Sequence, residues 1–212
     1  MDRVILASTS PRRHELLKYL LPSFRVIPPS VVEKLLDKED PKSTVKRLAS
    51  EKAKSASVLH KEVIIGADTV VVFENKILGK PQNANDALRV LTALQGHTHS
   101  VITGIAVIDA EGELTTNSVQ TDVEFRDYTM AEMESYIDTG DPMDKAGADA
   151  IQHPQFRPAR RISGCYFNVV GLPLCALSKM LTDIGISIEI ESPAEIPNFC
   201  LSSDVCPLGK AV

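Results

Sequence analysis

The chain has 212 residues, of which 43% are hydrophobic and 24% are charged. This composition is typical of a globular protein with a core of its own, and it excludes an intrinsically disordered chain. Its 23 basic and 28 acidic residues give a formal charge of −5, which disfavours a broad surface for nucleic-acid polymers but does not exclude one compact anion site. No apolar run approaches the roughly 18–20 residues of a membrane span, and the N-terminus lacks a signal-peptide pattern, so we expect a cytoplasmic protein that binds no membrane.

The N-terminal half alternates short apolar runs with helical patterns. In chain order we predict a strand over 3–7, a helix opened by Ser10 and Pro11, a strand over 24–28, a helix from Asp40-Pro41 to about Leu59, and an apolar strand over 63–67 that ends at Asp68 and is followed by β-branched residues over 69–73. Glu74, Asn75 and Lys76 are typical of a turn.

The C-terminal half contains more regular signals. We predict a helix over 84–95 that stops at Gly96, a hairpin of 100–109 with 114–126, a helix from the capping pair Thr129 and Glu132 to Gly140, a strand over 162–170, and a helix over 173–184 that stops at Gly185. Strands and helices mix without strict βαβ alternation. The pattern indicates an α/β fold with an irregular mixed sheet, in two lobes over residues 1–190, and a C-terminal extension over 191–212.

Residues 8–13 (STSPRR) lie where the first strand is predicted to enter the first helix. A helix N-terminus presents unpaired backbone N–H groups and the positive end of a dipole. Together with Ser8, Arg12 and Arg13 it would make a strong anion site, since arginine suits bidentate phosphate recognition. The alternative is an ordinary solvated helix start capped by Ser10, and the local pattern does not separate the two.

Asp68 is a single carboxylate delivered by an apolar strand, in the segment GADT. A fixed carboxylate at that position is suited to activate a water as general base or to bind a metal, and the alternative is that it begins a turn. Lys80 lies between Gly79 and Pro81, which fix the backbone around it. Lys52 lies in a helical pattern, where an isolated lysine is usually a solvated charge.

Residues 144–152 (DKAGADAIQ) mix charges with small residues and predict neither a regular helix nor a strand. Small residues allow a ligand to approach the backbone closely. Gln152 offers both a donor and an acceptor, which suits the edge of a nucleobase. Taken alone, this segment is a weak signal for a binding site.

Taken together, these segments resemble the Maf family of nucleotide pyrophosphatases. The matching pieces occur in family order over residues 3–185 and are 6–13 (LASTSPRR), Glu33, 51–53 (EKA), 66–69 (GADT), 79–81 (GKP), 144–148 (DKAGA) with 151–152 (IQ), and 168–174 (NVVGLPL). The resemblance implies an elongated α/β fold with a deep cleft, related to the inosine-triphosphate pyrophosphatases. It also implies hydrolysis of a nucleoside triphosphate to the monophosphate and pyrophosphate, and a homodimer.

Carried over by position, the resemblance makes Asp68 the carboxylate that accepts the proton of the attacking water. Glu33 and Asp68 would hold a divalent metal, Mg²⁺ or Mn²⁺. The substrate-binding residues implied in this way are Ser8, Arg12, Arg13, Lys52, Thr69, Lys80, Lys145 and Gln152. Among these, Arg12, Thr69 and Gln152 are similar to the branch that hydrolyses dTTP and UTP, whereas the 7-methyl-GTP branch has tryptophan in place of Arg12.

The sequence departs from the family pattern near both the metal and the base. Val32 replaces an acidic residue that often precedes Glu33, Asp149 and Ala150 replace a Tyr-Gly pair, and His153 replaces a glycine. The last changes leave the same chemistry on another or modified nucleotide as an alternative. A nucleotide-binding regulator of septum formation is another, because some members of the family are associated with arrest of cell division.

Overall fold

The computed structural model describes residues 4–56, 61–148 and 151–188. The strands in these ranges are β1 (Val4–Ala7), β2 (Arg25–Val26), β3 (Val63–Phe73), β4 (Lys76–Leu78), β5 (Thr98–Ile108), β6 (Leu114–Phe125) and β7 (Ala159–Ser163). The α-helices are α1 (Pro11–Lys18), α2 (Pro41–Ser55), α3 (Ala84–Leu94), α4 (Met130–Asp138), α5 (Tyr166–Val170) and α6 (Leu174–Asp183). Among these described residues, no helix is long and apolar enough to cross a membrane.

The described strands form one mixed sheet in the order β2-β1-β3-β5-β6-β7, with β4 paired to the end of β3. β1 runs parallel to β2 and β3, while β3, β5, β6 and β7 pair antiparallel. A mixed α/β sheet with flanking helices was expected, and the structure confirms it.

β1 is much shorter than its neighbour β3. Its last residue, Ala7, pairs with Gly66, whereas β3 continues seven residues further to Phe73 alongside β5. The sequence had suggested that the strand ends at Asp68. In the structure Asp68 lies inside an 11-residue strand. The site still opens at the carboxyl end of the parallel pair, because β1 stops two residues before Asp68.

Helices cover both faces of the sheet. α2 lies against one face so closely that a Cβ atom on Gly66 would meet the carbonyl oxygen of Ala49 at 2.1 Å, and a Cβ on Gly104 would meet that of Val45 at 2.3 Å. On the opposite face, α1, α5 and α6 pack on one end of the sheet, and α3 and α4 pack on the other. Apolar residues on both faces explain the nearly continuous hydrophobic runs of β3 and β5.

Most predicted elements are confirmed, including the hairpin of β5 and β6 and the capping box of Thr129 and Glu132. The predicted helix from Asp40-Pro41 does begin there, but it ends at Ser55 rather than near Leu59, and residues 57–60 lie outside the described ranges. The predicted extension over 191–212, with its Cys200 and Cys206, also lies outside them.

The predicted strand over 162–170 is wrong. β7 ends at Ser163, Gly164 has a φ of 129°, and the chain then forms α5 from Tyr166 to Val170. A Cβ on Gly164 would also lie 2.9 Å from the hydroxyl oxygen of Thr121, so only glycine fits this turn. The β-branched run 169–170 is buried in a helix because packing against the sheet outweighs its local strand propensity.

Candidate active site

A cleft of about 310 Å³ opens beyond the end of β1. All ten residues predicted for the site border this one cleft, namely Ser8, Arg12, Arg13, Glu33, Lys52, Asp68, Thr69, Lys80, Lys145 and Gln152. They come from opposite faces of the sheet, because successive side chains of β3 alternate: Asp68 lies on the α2 side, and Thr69 on the α1 side. The early end of β1 is what allows the two sides to meet.

The turn from β1 into α1 forms one wall of the cleft. Ser8 is almost fully buried, and its hydroxyl oxygen accepts a hydrogen bond from the backbone N–H of Ser10 at 3.1 Å. Ser10 occupies the N-cap position of α1 as predicted, but its side chain makes no capping hydrogen bond. The backbone donors of the first turn of α1 thus receive no cap from Ser10, and Pro11 has no N–H to satisfy.

Three charged groups of the cleft meet at Lys52, which is buried with Asp68, while Glu33 lies at the exposed side. Nζ of Lys52 donates to Oδ1 of Asp68 at 2.5 Å and contacts Oε1 of Glu33 at 2.7 Å. Lys52 and Asp68 are 6% and 5% exposed, so this lysine is not the solvated helical charge that its local pattern favours. Lys52 lies on α2 between Ala49 and Ala53, the two residues whose backbone approaches Gly66. This close packing of α2 on β3 places the ammonium group next to the carboxylates.

The two carboxylates differ in basicity. Burial raises the pKa of Asp68 above its ordinary value, against the charges of Lys52 and Arg13. Burial acts in the same direction on Glu33, but the hydrogen bond and charge of Lys52, with Lys80 and Arg13, outweigh it and hold the pKa of Glu33 below its ordinary value. Asp68 is therefore the group of this pair that more readily takes up a proton.

Arg13 is fixed by two hydrogen bonds on the other side of the cleft. Its Nε donates to the carbonyl oxygen of Gly171 at 2.8 Å, and its Nη2 donates to Oγ1 of Thr69 at 3.0 Å. Within the described ranges its Nη1 group makes no hydrogen bond. A guanidinium held in this way presents its remaining donors in a fixed direction toward the cleft.

The facing wall is more acidic than the sequence suggested. Arg12 pairs with Asp144 at 3.3 Å. Lys145 donates to the carbonyl oxygen of Asp141 at 2.7 Å, to its Oδ1 at 2.6 Å and to Oδ1 of Asp144 at 2.7 Å. The three donors of the Lys145 ammonium group are thus matched by three protein acceptors, so this residue organises the wall more than it offers charge to a ligand.

Lys80 and Gln152 border the mouth of the cleft, and both are exposed. The loop that carries Lys80 is tied to the facing wall, where the N–H of Gly147 donates to the carbonyl oxygen of Gly79 at 3.0 Å. Gln152 and Ile151 also border a second groove of about 550 Å³, which contains His153. The cleft and this groove therefore adjoin at Ile151 and Gln152.

The sequence model of the family described as Maf-like protein matches residues 3–184 of the chain. The chain belongs to the Maf family. It is 43% identical over 194 residues to a dTTP/UTP pyrophosphatase of Clostridium botulinum (strain Kyoto / Type A2), covering 89% of this chain and 100% of that protein. It is 44% identical over 188 residues to a dTTP/UTP pyrophosphatase of Dictyoglomus thermophilum, covering 87% and 97%.

Among solved structures, the Staphylococcus aureus Ham1 protein aligns with 85% of this chain and 98% of its own, at 18% identity and a TM-score of 0.47. A HAM1 protein from Coxiella burnetii aligns with 86% of this chain and 100% of its own, at 15% identity and the same TM-score.

Sequence reasoning missed two side chains that support the Maf cleft from beneath. Thr103 and Asn168 are fully buried and lie below Thr69. Asn168 lies in a segment that matches the family, but its local sequence does not show which residues its side chain contacts. Thr103 is a single hydroxyl in the apolar run of β5, and only its register opposite Thr69 shows its importance.

The oxygen donors of the cleft fit a divalent metal that arrives with its substrate. Glu33 and Asp68 place carboxylate oxygens within 2.7 Å of the Lys52 ammonium group, so the two carboxylates lie close together on one side of the cleft. In the described residues no group of three or more His, Cys, Asp or Glu is arranged to hold a metal. Mg²⁺ is commonly bound by one or two carboxylates together with substrate phosphates, and this pair fits that mode.

Proposed function

We propose that this Maf protein hydrolyses dTTP and UTP to the nucleoside monophosphate and pyrophosphate. The names of its relatives support this substrate class, since dTTP/UTP pyrophosphatases 43–44% identical to the chain align over nearly their whole lengths. The observation that carries the proposal is a buried carboxylate, Asp68, surrounded by cationic side chains in a cleft of suitable size for a nucleotide.

Asp68 acts as the general base in this mechanism. The oxygen of a water molecule bonds to one phosphorus of the α–β anhydride, the bond to the bridging oxygen breaks, and the proton of the water passes to the Asp68 carboxylate. A raised pKa makes that carboxylate a better proton acceptor than an exposed aspartate. Lys52 holds the carboxylate in place while it is charged.

The cations of the cleft stabilise the negative charge that develops on the leaving pyrophosphate. Arg13 is fixed before the substrate arrives, and the exposed Lys80 can follow the phosphates. Ser8 and the backbone donors of the first turn of α1 add neutral hydrogen-bond donors at the positive end of the helix dipole. Preorganisation of this kind costs no reorganisation during the reaction.

Glu33 and Asp68 would hold the divalent cation, Mg²⁺ or Mn²⁺, together with oxygens of the substrate. A divalent metal supplies charge neutralisation at the phosphates and polarises the phosphorus centre. Lys52 lies between the two carboxylates, and its charge lowers the pKa of each, which favours the ionised form that binds a metal.

At the base end, Gln152 is the residue that can donate to and accept from the edge of a pyrimidine. The groove beyond it favours a second candidate, the same reaction on a nucleotide with a modified base. That groove shares Ile151 and Gln152 with the cleft and gives a substituent room to extend toward His153.

Release of pyrophosphate from a panel of nucleotides tests both candidates. The panel holds dTTP, UTP, CTP, GTP, 7-methyl-GTP and pyrimidine triphosphates substituted on the ring, each with Mg²⁺ or Mn²⁺. We expect dTTP and UTP to lead, whereas preference for a substituted pyrimidine would support the second candidate.

Asp68→Asn should abolish turnover at unchanged folding, because the amide cannot accept the proton. Asp183→Asn is the matched control, since Asp183 is exposed at the end of α6. Near-normal turnover by Asp68→Asn contradicts the general-base role. Nucleotide binding without turnover by the wild type would point to a regulator instead of an enzyme.

We also propose that residues 1–190 form two lobes around the cleft and that two copies of the chain assemble into a dimer. The separation of the apolar clusters under α1 and α6 from those under α3 and α4 supports the lobes. The dimer follows from the family resemblance alone, and light scattering in solution measures it directly.

A further inference from the structure

A chain of hydrogen bonds descends from the cleft into the core of the sheet. Nη2 of Arg13 donates to Oγ1 of Thr69 at 3.0 Å, Oγ1 of Thr69 lies 2.9 Å from Oγ1 of Thr103, and Oγ1 of Thr103 donates to the carbonyl oxygen of Asn168 at 3.0 Å. Thr69 and Thr103 face each other across β3 and β5 in register. This alignment places the two hydroxyl groups on the same face of the sheet.

The direction of each bond follows from counting protons. A threonine hydroxyl has one proton to donate. Because Thr103 donates its proton to the carbonyl oxygen of Asn168, it can only accept from Thr69, and Thr69 therefore donates to Thr103. The Thr69 oxygen is then oriented to accept from Arg13. The hydroxyl of Thr69 has no proton left for a substrate.

The lower end of this chain is anchored to three elements. The side-chain amide of Asn168, on α5, donates to the carbonyl oxygen of Val101 on β5 and to Oγ1 of Thr121 on β6, each at 3.0 Å. Thr103 and Asn168 are both 0% exposed. Apolar residues lie on both sides, with Ile105 toward α1 and Val101 toward α3. Water does not reach these groups, so the direction of the chain is determined by the protein alone.

We propose that Thr103 is a positioning residue that, through Thr69, fixes the guanidinium of Arg13 toward the phosphates of the substrate. Thr69 is then a support of Arg13 and not a direct ligand of the nucleotide. This inference rests on the proposed function for its effect on turnover, but the fixation of Arg13 is a property of the protein without any substrate.

The critical variants are Thr103→Val, which keeps the shape and removes the hydroxyl, and Thr103→Ser, which keeps the hydroxyl. In the substrate-free protein, NMR exchange measures rotation of the Arg13 guanidinium about its Nε–Cζ bond, with Arg13→Lys to assign the signal. We expect rotation about three- to tenfold faster in Thr103→Val, which corresponds to the loss of one hydrogen bond, and unchanged in Thr103→Ser. Equal rotation rates in Thr103→Val and the wild type would overturn the proposal.

The second readout is the kinetics of pyrophosphate release. We expect Thr103→Val to lower kcat/KM about three- to tenfold, with the loss in kcat because Arg13 stabilises charge that develops during the reaction, and Thr103→Ser to restore both values. Thr69→Val breaks the same chain, so Thr103→Val should add nothing in its presence. Independent, multiplying effects of the two substitutions would contradict the chain.

Two further variants separate this role from general damage to the fold. Thr44→Val also removes a buried hydroxyl, whose one proton points to the Glu39 carboxylate and the Asp40 carbonyl oxygen, away from the cleft. It should change neither kcat/KM nor the rotation of Arg13. Thr103→Ala replaces Thr103→Val if the valine prevents folding. Absence of turnover in the wild type would refute the proposed function and leave the rotation measurement as the test of Thr103.

Discussion

Replacement of Gly66 by alanine should push the helix that carries Lys52 away from the strand that carries Asp68. A Cβ atom on Gly66 would lie 2.1 Å from the carbonyl oxygen of Ala49 and 2.9 Å from the backbone nitrogen of Ala53. Both partners are backbone atoms of α2, so no side-chain rotation can relieve the contact. The helix and the strand have to move apart.

The size of that movement follows from the contact itself. Ordinary van der Waals contact begins near 3.4 Å, so the Ala49 oxygen has to retreat by about 1.3 Å. A shift of this size takes Nζ of Lys52 from 2.5 Å to beyond hydrogen-bond distance of Asp68. Overpacking of this kind costs about 1–3 kcal/mol of stability, and misplacement of a catalytic group by about 1 Å costs roughly 100-fold in rate.

Two measurements test these magnitudes. Urea unfolding at pH 7.5 gives the free energy of unfolding, and pyrophosphate release from saturating dTTP gives kcat. Gly79→Ala is the control for stability, because a Cβ there meets no atom within 4 Å and should leave the urea midpoint unchanged.

Wild-type stability in Gly66→Ala would show that α2 does not approach β3 as closely as described. A destabilised variant with unchanged kcat would show that the helix contact does not position Lys52. Either result refutes the reasoning.

Two further predictions concern titration. Burial lowers the pKa of His99 to about 4, and its ring nitrogens have no hydrogen-bond partner in the described part of the chain. Because the unfolded chain binds a proton at this residue near pH 6.5, stability is lost as the pH falls from about 6.5 toward 4, by about 2 kcal/mol at pH 5. His99→Leu should remove that loss in urea unfolding at pH 7.5 and pH 5, and equal pH dependence in both proteins would contradict it. Lys52→Met removes a charge that lowers the pKa of Asp68, so the acidic limb of the kcat/KM profile should move to higher pH in any residual activity. A shift to lower pH would contradict the assignment of Asp68 as the base.

The local sequence was sufficient to predict the elements that depend on residues near each other in the chain. The capping box of Thr129 and Glu132 and the hairpin of β5 and β6 depend on neighbours a few residues away and are as predicted. The motif residues, from Ser8 to Gln152, were recognisable only as an ordered set that resembles the family, and the structure brings them to a single cleft.

Long-range packing decided the rest. The run after Gly164 became a helix because it packs on the sheet, although its β-branched residues favour a strand. Lys52 and Lys145 look alike in the sequence, yet one is buried between two carboxylates of the cleft and the other is engaged by Asp141 and Asp144.

The support of Arg13 through Thr69 and Thr103 also depends on long-range packing and not on a local sequence pattern. The two threonines are 34 residues apart in the chain, and their contact depends on the register of β3 against β5. The sequence by itself determined which residues are candidates for the site. Their partners, charges and orientations were decided by the tertiary structure, because burial and strand register bring together groups that no local pattern connects.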